Sequence, residues 1–157
     1  MTTTNAMRQL MKANIPFDTS EYEVDESDLS GVHAARMLGV DPDRVFKTLV
    51  ARGEKKGPCV LVIPVAEELD LKKCAGVTGD KKIEMIHVKE LLGLTGYIRG
   101  GCSPIDMKKK YPTWIDEIAT LFDRIYVSAG MRGQQLIVDP EDLRAYTCAK
   151  FADLTKR

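Results

Sequence analysis

The stretch Phe46-Lys47-Thr48-Leu49-Val50-Ala51 is the first half of the pattern that decides the fold. Its second half runs from Cys59 to Val65, and the residues between the two halves, 52–58, are mostly charged and contain two glycines. Two short runs of apolar and β-branched residues joined by such a turn predict a β-hairpin. The hairpin places Lys47 inside an apolar strand, where an ammonium must either reach water or find a partner.

Helical and extended patterns alternate on both sides of the hairpin. The predicted helices cover residues 6–13, 31–38, 69–75, 88–92 and 140–147. The further predicted strands cover residues 17–24, 82–86, 124–128, 135–138 and 151–154. Residues 115–121 fit neither pattern. In a chain of 157 residues without a linker or a repeat, this alternation predicts one domain over residues 1–157, with an α/β or α+β fold and a mixed sheet.

The charges of the chain balance, with 23 lysines and arginines against 23 aspartates and glutamates. A balanced chain lacks the general positive charge that broad, sequence-independent RNA binding requires. Local basic clusters remain, and one of them, Lys108-Lys109-Lys110, follows a pair of glycines. We expect this cluster to form a basic lip beside a site at the glycines, although most surface lysines are simply solvated.

Four cysteines and two histidines limit the metal and redox chemistry of the chain. The cysteines form no CxxC pair and no histidine lies at metal-ligand spacing, so we expect no metal site and a reducing compartment. Residues 1–11 lack the charged and apolar regions of a signal peptide. The longest mostly apolar run, residues 59–66, is too short to cross a bilayer. These features predict a cytoplasmic protein without a membrane segment.

Two glycine-containing segments could receive a polar ligand. In the first, Gly100-Gly101-Cys102-Ser103-Pro104, consecutive backbone N–H groups and a hydroxyl could bind an oxyanion or a ribose oxygen. In the second, Ser128-Ala-Gly-Met-Arg-Gly133, an arginine between glycines could fork onto a phosphate or a carboxylate. On glycine content alone, both segments could equally be tight turns between strands.

Cys102 is the thiol inside the first of these segments. No histidine is visibly positioned to activate it as a nucleophile, because His33 opens a helix and His87 is the only other histidine. We expect Cys102 to be a small apolar filler and His33 to have a surface or capping role. A thiol-redox role for Cys102 would require a lowered thiol pKa, which its sequence neighbours do little to support.

Taken together, the segments 46–49, 95–104 and 128–133 resemble the YbaK/EbsC family in their order and spacing. This family comprises free-standing aminoacyl-tRNA deacylases related to the editing domain inserted in bacterial prolyl-tRNA synthetases. The resemblance extends from about Ala6 to Leu154. It implies a mixed, partly barrel-like β-sheet surrounded by helices, and an enzyme without a cofactor or a metal.

The resemblance also implies roles for individual residues. Lys47 would be the catalytic residue that holds the phosphate or the carbonyl end of the aminoacyl-adenosine, a task that suits a compact point charge. The implied substrate-binding positions are Tyr22, Ser30, Thr48, Gly100, Gly101, Ser103, Gly130, Arg132 and Gly133. Three positions depart from the family pattern: Ser30 replaces an aromatic residue of some members, Gln135 an acidic residue, and Ala129 a frequent glycine. These departures affect the amino-acid pocket, so the preferred aminoacyl group stays open.

The function that the resemblance implies is trans-editing of proline tRNA that has been mischarged with cysteine. The thiol of the cysteinyl group would attack its own ester carbonyl, so the protein would only have to hold a reactive conformer. The implied partners are the acceptor end of aminoacyl-tRNA and prolyl-tRNA synthetase. Two alternatives stay open: a deacylase of the same fold that uses water on alanyl- or another small aminoacyl-tRNA, and a non-enzymatic module that binds a nucleotide or the synthetase.

Overall fold

The computed structural model describes residues 2–157, and eight strands within this range form two sheets. The strands are β1 (Phe17–Glu21), β2 (Phe46–Gly53), β3 (Gly57–Pro64), β4 (Ile83–Met85), β5 (Thr113–Asp116), β6 (Ile125–Ser128), β7 (Gln134–Val138) and β8 (Lys150–Ala152). The helices are α1 (Asn5–Lys12), α2 (Gly31–Leu38), α3 (Leu71–Thr78), α4 (Val88–Thr95) and α5 (Pro140–Thr147), with 3-10 helices at Pro42–Arg44 and Glu117–Leu121. The predicted domain over residues 1–157 is therefore described except for Met1.

The predicted hairpin, β2 and β3, lies in the larger sheet. Its strands pair antiparallel over their whole length, in a sheet of order β4-β2-β3-β5-β8 whose pairs β3–β5 and β5–β8 are parallel. The smaller sheet, of order β1-β7-β6, is antiparallel. A bridge between Val45 and Tyr126 connects the two sheets. The predicted mixed α/β fold is confirmed, and the strands of residues 2–157 do not close into a barrel.

The hairpin buries both of its faces, which explains its nearly continuous apolar sequence. Val50, Val60 and Val62 pack into the main core with residues of α1 and α5. Because side chains alternate along a strand, Leu61 and Ile63 point to the opposite face and join a second cluster that includes a residue of α3. The hairpin is therefore packed on both faces, which fixes the positions of the residues in the first half of β2.

Local capping signals set the helix ends. α1 begins after Thr4, whose hydroxyl accepts a backbone N–H of the first turn (3.2 Å), and α2 ends at Gly39 in the left-handed conformation (φ 68°). The predicted bounds of α2 and α5 are confirmed. The predicted start of α3 at residue 69 is wrong, because Asp70 accepts two N–H groups of the first turn (3.1 Å each) and caps the helix there. The α-helices of residues 2–157 are each eight residues long, and none is long and apolar enough to span a membrane.

The unassigned residues 115–121 contain the end of β5 and a 3-10 helix. The carboxylate of Asp116 ends the strand, because it accepts the backbone N–H of Ile118 (3.2 Å) and that of Leu154 (3.0 Å). The second donor comes from a distant part of the chain. A local sequence pattern does not reveal such a partner, so this segment could not be assigned from the sequence.

Candidate active site

A cavity of about 380 Å³ lies along the first half of β2. β4 pairs with β2 only from Ala51 to Gly53, and all five residues of β2 before that point, 46–50, line the cavity. The starts of α2 and α4, the loop around Gly100, and residues of β6 and β7 complete its wall. Elements that are distant in the sequence thus meet in one concave place, which is typical of a ligand site.

The ionisable groups of the wall are positive or neutral. Lys47 and Arg99 are the cations among the lining residues, and no aspartate, glutamate or histidine of residues 2–157 lines the cavity. Burial raises the pKa of Tyr22 and raises that of Cys102 to about 12, so both are uncharged at neutral pH. The cavity therefore favours an anionic or electron-rich ligand. The described residues contain no group of three or more side chains that could hold a metal ion.

Lys47 is the less exposed of the two cations in this wall. It lies opposite Ile63 in the hairpin and is half-buried. Within residues 2–157 its ammonium has no hydrogen-bonded partner, and Glu67 and Glu68 act on it only at longer range. Burial lowers the pKa of Lys47, while the two glutamates work in the opposite direction. A partly desolvated ammonium without a partner beside a cavity is a typical feature of a functional site.

Two buried polar atoms at the cavity also lack a partner. The hydroxyl oxygen of Thr48 and the side-chain oxygen of Gln135 form no hydrogen bond with any group of residues 2–157, although both are shielded from solvent. Thr48 belongs to β2 and Gln135 to β7, so the two come from different sheets and line the same cavity. Buried polar groups in proteins are almost always hydrogen-bonded. Their convergence here indicates a place where a polar ligand would complete the missing bonds.

The first glycine segment contributes one residue of the predicted set directly to the wall. Gly100 lines the cavity and has a left-handed backbone (φ 84°). Gly101 does not line it; a Cβ at this position would lie 3.1 Å from the backbone nitrogen of Arg132. Ser103 is fully buried, and its hydroxyl accepts the N–H of Ile105 (3.2 Å). These last two residues therefore support the loop from behind.

The second glycine segment packs behind the first. Gly130, Arg132 and Gly133 are absent from the cavity wall. The Nε of Arg132 donates to the carbonyl oxygen of Arg99 (2.9 Å). The backbone N–H of Tyr22 donates to the carbonyl oxygen of Gly133 (2.9 Å). The segment thus fixes two wall residues, Arg99 and Tyr22, and a ligand-binding role for its own residues stays a prediction.

The start of α2 brings Ser30 to the cavity. Its hydroxyl accepts the backbone N–H of His33 (3.2 Å), so Ser30 is the N-cap of the helix. The start of α2 lies close to Val65, at the end of the hairpin. Only glycine fits at position 31, because an added Cβ would lie 2.6 Å from the Cβ of Val65. The side chain of His33 does not line the cavity.

Comparison with known proteins shows the family of this chain. Residues 29–146 match the family model described as the aminoacyl-tRNA editing domain. This chain belongs to that editing-domain family. A protein of Enterococcus faecalis, described as "Putative Cys-tRNA(Pro)/Cys-tRNA(Cys) deacylase EbsC", is 48% identical over 154 residues, which cover 98% of this chain and 94% of that protein. The resemblance seen in the sequence is thereby confirmed, and so is the general activity, deacylation of aminoacyl-tRNA.

Solved structures share the fold of this editing domain. The crystal structure of "a putative trans-editing enzyme for prolyl tRNA synthetase" superimposes with a TM-score of 0.81 at 23% identity, covering 99% of this chain and all of that one. The hypothetical protein APE2540 superimposes with a TM-score of 0.86 at 23% identity, covering 97% of this chain and all of the other. At such identities the similarity concerns the fold alone.

Sequence reasoning missed one charged residue of the editing-domain cavity. Arg99 lines the wall beside Gly100, whereas the arginine singled out from the sequence, Arg132, holds the Arg99 carbonyl. The signal was present, because Arg99 stands directly before the glycine pair. Of the ten residues predicted for the site, the lining includes Tyr22, Ser30, Lys47, Thr48 and Gly100.

Proposed function

We propose that this editing domain removes cysteine from mischarged cysteinyl-tRNA(Pro), with the thiol of the substrate as the nucleophile. One observation carries the proposal: the cavity wall offers cations and unpaired polar atoms, but within residues 2–157 no carboxylate, imidazole or ionised thiol that could activate water. Neither a carboxylate nor an imidazole of residues 2–157 lines it, and the thiol of Cys102 has a pKa of about 12. A substrate that brings its own nucleophile removes the need for a protein base.

The proposed step exchanges an oxygen for a sulfur at the ester carbonyl. The substrate sulfur attacks the carbonyl carbon and forms a C–S bond, and the C–O bond to the terminal ribose then breaks. The thiol proton passes to the ribose oxygen, directly or through water. The released β-thiolactone of cysteine is opened by water to free cysteine. No external oxidant or cofactor enters this balance.

In this scheme the wall residues hold and polarise the substrate. The ammonium of Lys47 would lie against the carbonyl oxygen or the terminal phosphate, where negative charge is greatest in the transition state. Arg99, from the loop beside Gly100, supplies a second and exposed cation of the wall. Thr48 and Gln135 would give their unused hydrogen-bonding capacity to polar groups of the aminoacyl-adenosine.

The choice of tRNA would come from a partner, for which prolyl-tRNA synthetase is our proposal. The balanced charge of the chain gives it little general affinity for a whole tRNA. The name of the E. faecalis relative includes both Cys-tRNA(Pro) and Cys-tRNA(Cys), which supports recognition of the amino acid ahead of the tRNA. Such a role belongs in the cytoplasm, where aminoacyl-tRNA is used.

A panel of esters tests the proposed chemistry. Purified protein is mixed with cysteinyl-, seryl- and alanyl-tRNA(Pro) and with cysteinyl-tRNA(Cys), and loss of each ester is followed against the spontaneous rate. We expect the cysteinyl esters to be lost at least about a hundredfold faster than the seryl ester, because serine differs only in its weaker nucleophile. Comparable cleavage of the alanyl ester would favour the water mechanism. No cleavage of any ester, with the synthetase also present, would favour a binding module.

The replacement Cys102→Ala separates the substrate thiol from the protein thiol. Because burial keeps the Cys102 thiol protonated, we expect kcat/KM for cysteinyl-tRNA(Pro) to stay within about threefold of the wild-type value. The matched control is Cys59→Ala, a buried thiol outside the cavity whose pKa is raised to about 11. A loss of two orders of magnitude in Cys102→Ala alone, with unchanged melting temperature, would make Cys102 the nucleophile instead.

A further inference from the structure

Helix α4 exposes apolar side chains next to the cavity mouth. Val88 and Leu92, one turn apart, are 62% and 54% exposed, and Met85, just before the helix, is 44% exposed. Met85 and Val88 also line the cavity, so the exposed apolar area continues its wall. We call the residues Met85, Val88, Lys89 and Leu92 the α4 surface.

A basic loop, Lys108–Lys110, stands at the far end of the same helix. The backbone N–H of Lys108 donates to the carbonyl oxygen of Thr95 (3.1 Å), and the hydroxyl of Tyr111 donates to that of Leu94 (2.7 Å). The loop is therefore fixed to the C-terminal turn of α4. Lys109 and Lys110 are exposed, and they form no ion pair with any acidic group of the described residues.

Two acidic groups beside the α4 surface, Glu84 and Glu90, form ion pairs. Glu84 pairs with Lys82 (2.9 Å), and Glu90 pairs with Arg52 (2.9 Å). The α4 surface and the basic loop themselves carry only lysine charges, while Asp106, two residues before Lys108, is an exposed acid that forms no ion pair among the described residues. An apolar strip beside unpaired cations complements a chain that carries both flat apolar groups and regularly spaced negative charges, which is the composition of single-stranded RNA.

We propose that the unpaired 3′ end of the tRNA leaves the cavity along the α4 surface and reaches the basic loop with its phosphates. This inference rests on the proposed function, which places the terminal aminoacyl-adenosine in the cavity. α4 is about 12 Å long at 1.5 Å per residue, so only the few nucleotides next to the terminal adenosine fit along it. Their bases pack on Val88 and Leu92, while Lys89, Lys109 and Lys110 contact the phosphates.

We call this proposed path of the 3′ end, along the α4 surface to the basic loop, the track, and two variants test it. Leu92→Glu places a negative charge on the α4 surface, and the double change Lys109→Glu/Lys110→Glu reverses the basic loop. Lys108 is spared because its aliphatic stem packs over Gly96 at the end of α4. The controls are Leu121→Glu, on an exposed apolar residue outside the cavity wall, and Lys72→Glu/Lys150→Glu, with the same change in net charge.

Two substrates distinguish a loss of binding along the track from a defect in the cavity. We expect both test variants to lower kcat/KM for cysteinyl-tRNA(Pro) by about tenfold, and to leave kcat/KM for 3′-cysteinyl-adenosine unchanged, because that ester lacks the preceding nucleotides. The double variant should also reduce the slope of log kcat/KM against log salt by about 1.4, at about 0.7 for each phosphate contact on a single strand. The two controls should match the wild type on both substrates.

A binding measurement keeps the test independent of catalysis. Fluorescence anisotropy of a labelled single-stranded oligoribonucleotide ending in CCA should show weaker binding to both test variants and wild-type binding to both controls. Equal binding and equal tRNA cleavage by all variants would overturn the track. So would equal losses on both esters, and so would a loss that appears only when the synthetase is added, because the surface would then serve the protein partner. Absence of cleavage by the wild type, with variant-sensitive binding, would contradict the proposed function and leave the track standing.

Discussion

Replacing Lys47 by alanine is expected to slow deacylation of cysteinyl-tRNA(Pro) by about two to three orders of magnitude, the usual cost of removing one group that stabilises a developing oxyanion. Lys47 is the half-buried cation of the cavity and has no hydrogen-bonded partner within residues 2–157. Its charge is therefore free to act on the substrate. The measurement is single-turnover loss of the ester at saturating protein. The melting temperature should stay unchanged or rise, because burying the ammonium opposes folding.

The matched control for Lys47→Ala is Lys47→Met, which keeps most of the side-chain volume and removes only the charge. We expect the methionine variant to be as slow as the alanine variant. Arg99→Met removes the exposed cation of the same wall and should have a smaller effect, since an exposed charge is screened by solvent. Wild-type activity in Lys47→Met would contradict an electrostatic role and leave only a packing role for this residue.

The pH dependence gives the Lys47 prediction a second readout. Burial lowers the pKa of Lys47 from its ordinary value of 10.5, so the ammonium loses its charge at a lower pH than an exposed lysine does. The rate should rise as the substrate thiol ionises and then fall as Lys47 deprotonates, and the falling limb should be missing in Lys47→Met. Deprotonation of Lys47 has the opposite effect on stability, because the free energy of unfolding rises when the buried charge is lost. The cost of the buried charge is fully present below the folded-state pKa and disappears as the pH rises toward 10.5.

Much of the fold could be predicted because local chemistry determines it. The β2–β3 hairpin follows from two apolar runs and a charged turn, and α2 from Ser30 and Gly39 at its ends. The division into two sheets could not be predicted, because it depends on pairs such as Phe17 with Val138 that are far apart in the sequence. Likewise, the end of β5 depends on Asp116 accepting an N–H from distant Leu154.

The site was predicted in part for a related physical reason. A glycine marks a place where the backbone approaches something closely, but the sequence does not say whether that neighbour is a ligand or the protein itself. Gly100 faces the cavity, whereas Gly101 faces the backbone of Arg132. The sequence could not show that the side-chain oxygens of Thr48 and Gln135 lack hydrogen-bond partners, because a missing partner becomes visible only when all neighbours are placed.

Replacing Gly133 by alanine tests the supporting role of the second glycine segment. Gly133 has a left-handed backbone (φ 80°), and an added Cβ would lie 2.8 Å from the carbonyl oxygen of Tyr22. The backbone strain alone costs about 1–3 kcal/mol, and the contact adds to it. At about 2–4 °C for each kcal/mol in a chain of this size, we expect a clear fall in melting temperature. Because Tyr22 lines the cavity, kcat/KM should fall as well.

The control Gly39→Ala isolates the contact from the strain. Gly39 has a similar backbone (φ 68°), but an added Cβ would meet no atom within 4 Å, so it should lose stability only through strain and keep its activity. A larger melting shift in Gly133→Ala than in Gly39→Ala would support a segment that positions Tyr22 from behind. Equal melting shifts, with activity lost only in Gly133→Ala, would contradict that role. The backbone at Gly133 would then have to yield around the new methyl group, and the loss would point to direct contact with the substrate.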